Sequence, residues 1–174
     1  MDAQLISPLT KLADLVNSDK RALTLLPRFG IELGFGDRTV KQVCAEKGVS
    51  TEFFLLMVNL YLNQSYFPNR KLKNLDVDML LQYLDNSHRY YLEEKIPYLE
   101  SLIEEFKNKV KHPATKQLDK FFQQYVQEVK EHLAYEDQTA FPYVAALSQQ
   151  FKDHKAKLDD VDYHIGVFEE RHDN

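Results

Sequence analysis

A single cysteine, Cys44, stands in the whole 174-residue chain. A lone thiol excludes an intrachain disulfide framework, which agrees with a reducing compartment. Long hydrophobic runs are missing too. The longest uncharged apolar-rich stretch, Phe53 to Gln64, contains polar residues and is far too short to span a bilayer. The N-terminal MDAQLISPLTKL lacks the charged start and apolar centre of a secretion signal. These absences give a cytoplasmic reading with no membrane partner. An excess of positive charge is also lacking: the net charge of -5 argues against bulk attraction to nucleic acid or an anionic membrane. With only 5 Gly and 6 Pro, and no convincing alternation of period two, strands are not needed anywhere. No internal repeat of about 20 to 50 residues and no low-complexity tract is found.

What is present is 44% apolar and 28% charged content, arranged in long stretches of helical spacing. That amount of apolar residue is enough for a core, as one domain or as a small module followed by a bundle. The pattern predicts an all-α protein.

The first module runs from about Pro8 to Gln64. Asp19 is placed to cap a helix carrying Leu23, Leu25 and Leu26, which Pro27, Gly30, Gly34 and Gly36 then break. Two short helices follow, Thr39 to Lys47 and Thr51 to Gln64, joined at Gly48-Val49-Ser50 with Ser50 as N-cap. This arrangement imitates a helix-turn-helix. Glu52 is the only charge on its second helix, however, and Phe53, Phe54, Leu55, Leu56, Met57 and Val58 look like core. A recognition helix needs polar or cationic side chains, so nucleic acid is not expected as a partner. The polar connector NQSYFPNRKLKN places a domain boundary near Pro68 to Asn74, giving a helical domain over 1–68 and a second module over 76–174.

In the second module one stripe runs Leu81, Leu84, His88, Leu92, Ile96, Leu99, Ile103, Phe106, Val110, in steps of three and four. Pro97 should kink this helix and His112-Pro113 should end it. A second stripe runs Leu118, Phe122, Tyr125, Val129, His132, Glu136, and a third runs Val161, Ile165, Phe168, His172. His132 and Glu136, four apart, share one helix face and suit a nitrogen and an oxygen ligand converging on metal. A surface ion pair is the plainer account of that spacing, but both residues continue an apolar stripe. His88 and His172 likewise replace apolar residues on theirs. Each alone reads as a hydrogen-bonded core imidazole; together they read as ligands suited to iron, manganese or zinc. His112, roughly 36 Å beyond His88 on a continuous helix, reads as a helix-end residue. His154 reads as solvated, His164 as flanking the third stripe, Tyr135 as packing beside the pair, and Cys44 as a buried small hydrophobe.

The stretches SHRYYLEEKIPYL, EHLAYEDQTAFPYV and VFEERHDN resemble successive motifs of hemerythrin-like di-iron proteins, specifically the iron-sulfur cluster repair (repair of iron centres) branch. LPRFGIELGFGDRTVKQVCAEKGVS is similar to that branch's small N-terminal domain. The resemblance covers nearly the whole chain. It implies a hemerythrin-like up-down bundle after the N-terminal domain, and a non-haem di-iron centre held by His88, His132, Glu136 and His172, with Glu136 bridging. It also implies metal ions and a small diatomic ligand, O2 or NO, as partners, and a part in cluster repair or in the nitric oxide and oxygen stress response.

Two departures stand out. Gly34-Phe35 occupies the place of the family's cysteine pair. The family's fourth helix, with another His-x-x-x-Glu, has no counterpart before Asn174, so three histidines and one glutamate supply fewer ligands than two irons normally need. The expectation is therefore an incomplete bundle: a fragment of a longer protein by preference, or a homodimer completing the bundle, or a member that has lost its metal. The competing functional expectation is a metal-free helical protein-interaction or regulatory module.

Overall fold

The computed structural model describes residues 5–63, 66 and 77–153. Among them every regular element is helical, apart from one isolated antiparallel bridge between Lys11 and Thr39. None of the described helices is long and apolar enough to cross a membrane. The chain divides into two compact units, Met1–Tyr90 and Tyr91–Asn174.

The first unit contains α1 (Leu12–Ser18), two 3₁₀ turns (Lys20–Thr24 and Leu26–Phe29), α2 (Val40–Lys47), α3 (Thr51–Leu62) and α4 (Val77–Tyr90). The caps explain where α2 and α3 begin. Thr39 accepts from the Gln42 amide while the Gln42 side chain reaches back to the Thr39 amide, a complete capping box. Ser50 accepts from the Phe53 amide at 3.2 Å. Gly48 then closes α2 in the left-handed conformation, φ 67°, which costs a glycine nothing.

The single helix expected after Asp19 is instead the pair of 3₁₀ turns. Asp19 does cap, accepting from the Arg21 amide at 2.9 Å. Pro27, in the second turn, has no N–H with which to continue an α ladder, and Gly30 closes that turn at φ 64°. The tighter 3₁₀ winding buries the neighbours Leu25 and Leu26 together and leaves Leu23 exposed. The short helix α1 is an element that the sequence pattern had not separated out. Its Leu12 and Leu15 join Leu25, Leu26, Phe54 and Val58 in a core where each is at most 1% exposed. Each such side chain contributes about 1.5–3 kcal/mol by leaving water.

Residues 67–76, where the composition shifts, lie outside the described residues. The first compact unit extends beyond them to Tyr90 because α4 carries the aromatic that completes its core. Tyr83 is buried, with its ring 4.8 Å from Phe29 and 6.1 Å from Phe53. Arg28 Nη1 donates to the Tyr83 hydroxyl at 3.3 Å, and Asn86 Nδ2 donates to the Arg28 carbonyl at 3.0 Å.

The second unit contains a π-turn (Tyr91–Lys95), α5 (Ile96–Lys109), α6 (Ala114–Tyr135), a second π-turn (Glu136–Ala140) and α7 (Phe141–Asp153). The two π-turns share a cause. Pro97 and Pro142 each stand two residues past the end of a π-turn. A proline ring inside a helix collides with the carbonyl four residues earlier, here Glu93 and Gln138, and offers that carbonyl no N–H. One extra residue in the turn moves the carbonyl aside. The disruption expected at Pro97 therefore takes the form of a π-turn immediately before it.

α5 ends at Lys109, three residues short of His112, with Val110 already extended. His112 organises the start of α6: its carbonyl accepts from the Thr115 amide and hydroxyl, and its Nδ1 accepts from the Ala114 amide. α5 and α6 meet along a seam of buried Ile96, Phe122 and Val126, flanked by Leu92, Ile103 and Val129.

Candidate functional site

α6 carries two apolar lines side by side. Phe122, Val126 and Val129 turn into the seam against α5. Leu118, Tyr125 and His132, spaced seven and seven, run along its edge, where all three are exposed. The sequence pattern merges these lines into one stripe, and the structure separates them. His132 thus belongs to the open edge of the hairpin, whereas Glu136, only 13% exposed and seven residues past Val129, is the drier of the two.

His132 lies in the last turn of α6, and Glu136 is the first residue of the π-turn that follows. The Glu136 amide is shared between the carbonyls of His132 and Leu133, as expected where the helical repeat changes. His132 Nε2 stands 3.5 Å from Glu136 Oε1. The imidazole is 47% exposed and the carboxylate only 13%, so the carboxylate is largely out of water while the imidazole is half in it. A nitrogen and an oxygen donor converge here from one helix face, a donor set that borderline and harder transition metals accept.

His88 is buried near the end of α4, in the first unit, beside buried Ser87, whose hydroxyl donates to the Tyr83 carbonyl at 2.7 Å. His172, with His154 and His164, lies outside the described residues. Of the four sequence-predicted ligands, His132 and Glu136 stand beside each other in the second unit, and His88 lies in the first. Among the described residues no three His, Cys, Asp or Glu side chains form a group that could hold a metal ion. Tyr135 is half-buried beside the pair.

Cys44 is fully buried in the first unit. Burial pushes its thiol up to about 11, and a hydrogen bond with Thr51 offsets this only in part. That is the environment of an inert core thiol and not of a nucleophile.

One feature of the first unit escaped the sequence reading. A cavity of about 220 Å³ lies between the turns at Gly30 and Gly48 and the face of α4 that carries Gln82 and Tyr83. Its signal in the sequence is slight, a basic residue just ahead of each helix-ending glycine, Arg28 and Lys47. Such residues are common wherever a helix stops, because cations are favourable at its C-terminus.

Comparison with known proteins finds no matching family model, no matching curated protein and no matching solved structure.

Proposed function

We propose that the chain acts as a hemerythrin-like iron protein in iron-sulfur cluster repair or in the response to nitric oxide and oxygen stress. The observation that carries this reading is the His132–Glu136 pair, 3.5 Å apart on one helix face and next to a π-turn. π-turns inside helices occur frequently at functional sites. The donor chemistry fits non-haem iron, since a neutral imidazole and a carboxylate are ordinary ligands for it. In this reading His132 and Glu136 hold iron, and His88 and His172 are the further donors. Bound iron would supply redox and Lewis-acid reactivity towards a diatomic ligand. The chain's own residues place the two donors one turn apart and keep the carboxylate mostly dry, while the exposed edge Leu118–Tyr125 offers a surface on which further helices of a bundle would seat.

The test is iron content per chain after loading with ferrous iron, in wild type and in Glu136→Ala. Wild type is expected to retain iron that the variant loses. Equal iron in the two would overturn the assignment.

A second reading has its own supporting observation. Leu99, Phe106, Phe121 and Tyr125 are all exposed on α5 and α6, and exposed apolar surface of this kind also marks protein–protein contact. A metal-free interaction or regulatory module predicts that chelators leave the thermal midpoint unchanged, whereas the iron reading predicts that they lower it.

A further inference from the structure

The cavity in the first unit has a composition that selects its ligand. Arg28 and Lys47 both line it, and among the described residues no carboxylate does, which disfavours a cation. Phe29 and Phe53 line it together with Tyr83 of α4, and Gln82 adds a side-chain amide.

Two helical segments end at this cavity, and free carbonyls at their C-termini would repel an anion. Five of those carbonyls already accept hydrogen bonds. The Gly30 and Ile31 amides donate to Pro27 and Leu26, and the Gly48 and Val49 amides donate to Ala45 and Cys44. The Arg28 carbonyl accepts from Asn86. Arg28 is also fixed in place: its Nη1 reaches the Tyr83 hydroxyl at 3.3 Å and its Cζ lies 5.9 Å from the centre of the Tyr90 ring. A guanidinium ordered before binding loses little rotamer freedom when a ligand arrives. Lys47, exposed at the mouth, supplies a second charge on a flexible stem.

The volume is that of about seven waters, taking roughly 30 Å³ for each. It suits a molecule with a single ring and not a nucleotide, since sites for drug-sized ligands begin at about 300 Å³.

We propose that this cavity binds a small aromatic carboxylate, with its anionic end towards Arg28 and Lys47 and its ring against Phe29, Phe53 and Tyr83. The site lies wholly within the first unit and is independent of the iron reading.

Benzoate is the probe, titrated into the full ¹⁵N-labelled chain while the amide resonances of Gly30, Gly48 and Val49 are followed. Benzyl alcohol serves as the neutral counterpart and inorganic phosphate as the ringless anion. Saturable shifts at those amides are expected with benzoate, with clearly weaker responses to the other two. Lys47 is exposed, so its substitution leaves the fold intact, which the remaining resonances verify. Lys47→Gln should weaken benzoate about threefold and the charge reversal Lys47→Glu about tenfold, in keeping with an exposed charge. Absence of saturable shifts would overturn the proposal. So would an equal response to benzyl alcohol or phosphate, or unchanged affinity in both Lys47 variants.

Discussion

His132 and Glu136 face each other at the point where α6 gives way to a π-turn, with Nε2 and Oε1 3.5 Å apart and the carboxylate the drier of the two. As an ion pair this contact is worth little, because a half-exposed partner is screened by water. Its interest lies in the donors it aligns. His132→Gln should therefore change the stability of the metal-free chain by less than about 1 kcal/mol, while removing iron from the loaded protein. Urea unfolding paired with iron analysis separates the two effects. A large loss of stability with iron retained would show the pair to be a structural contact.

Adjacent residues on α6 have opposite surroundings: Phe121 is 67% exposed and Phe122 only 8%. Phe122→Ala opens the seam against α5 and is expected to cost about 3 kcal/mol or more. Phe121→Ala should stay within about 0.5 kcal/mol. Circular dichroism during urea unfolding checks both, and similar costs at the two positions would mean that the open edge is covered in solution.

Buried Asn59 on α3 holds the start of the chain. The Ile6 amide donates to its Oδ1 at 2.8 Å, and its Nδ2 donates to the carbonyls of Ile6 at 3.2 Å and Leu55 at 2.8 Å. Asn59→Leu strands the Ile6 amide and carbonyl and should destabilise the first unit by about 1–3 kcal/mol. Faster amide hydrogen exchange at Ile6 is the specific signature, and unchanged protection there would contradict the role.

The Cys44 thiol titrates at about 11 in the folded chain, raised by burial from 9.0. A raised folded value means that burial favours the neutral thiol. Its contribution to stability is complete below pH 9.0 and is lost as pH climbs towards about 11. Near neutral pH the native thiolate is scarcer by about a hundredfold than in the unfolded chain. Alkylation by iodoacetamide should accordingly be slow in native protein and fast in denaturant. Comparable rates would place the thiol in contact with solvent.

Much of the fold was legible because its signals are local. The starts of α2 and α3 follow from Thr39, Gln42 and Ser50, whose side chains satisfy amides within three residues of themselves. The apolar run from Phe53 to Val58 announced a core element, of which Phe53, Phe54 and Val58 are buried while Leu55, Leu56 and Met57 are half-buried, and the buried Cys44 followed from a helix with no His or second Cys beside it. The 3₁₀ winding after Asp19 was not legible, since its choice over an α-helix rests on burying Leu25 and Leu26 against residues far along the chain. Nor was the form of the breaks at Pro97 and Pro142: a proline announces that a helix is disturbed but does not say whether it kinks or takes in an extra residue. The candidate site was half legible. Spacing put His132 and Glu136 on one face, while the exposure of the imidazole and the burial of the carboxylate depended on which line of α6 meets α5.

The sequence by itself determined that this is a helical chain, where its caps fall and which residues can serve as metal donors, because these depend on chemistry within one or two turns. Tertiary structure decided which apolar line closes, that α4 completes the first core through Tyr83, and that Arg28 and Lys47 come to share a cavity. Those outcomes depend on contacts between residues distant in the chain, and local spacing carries no record of them.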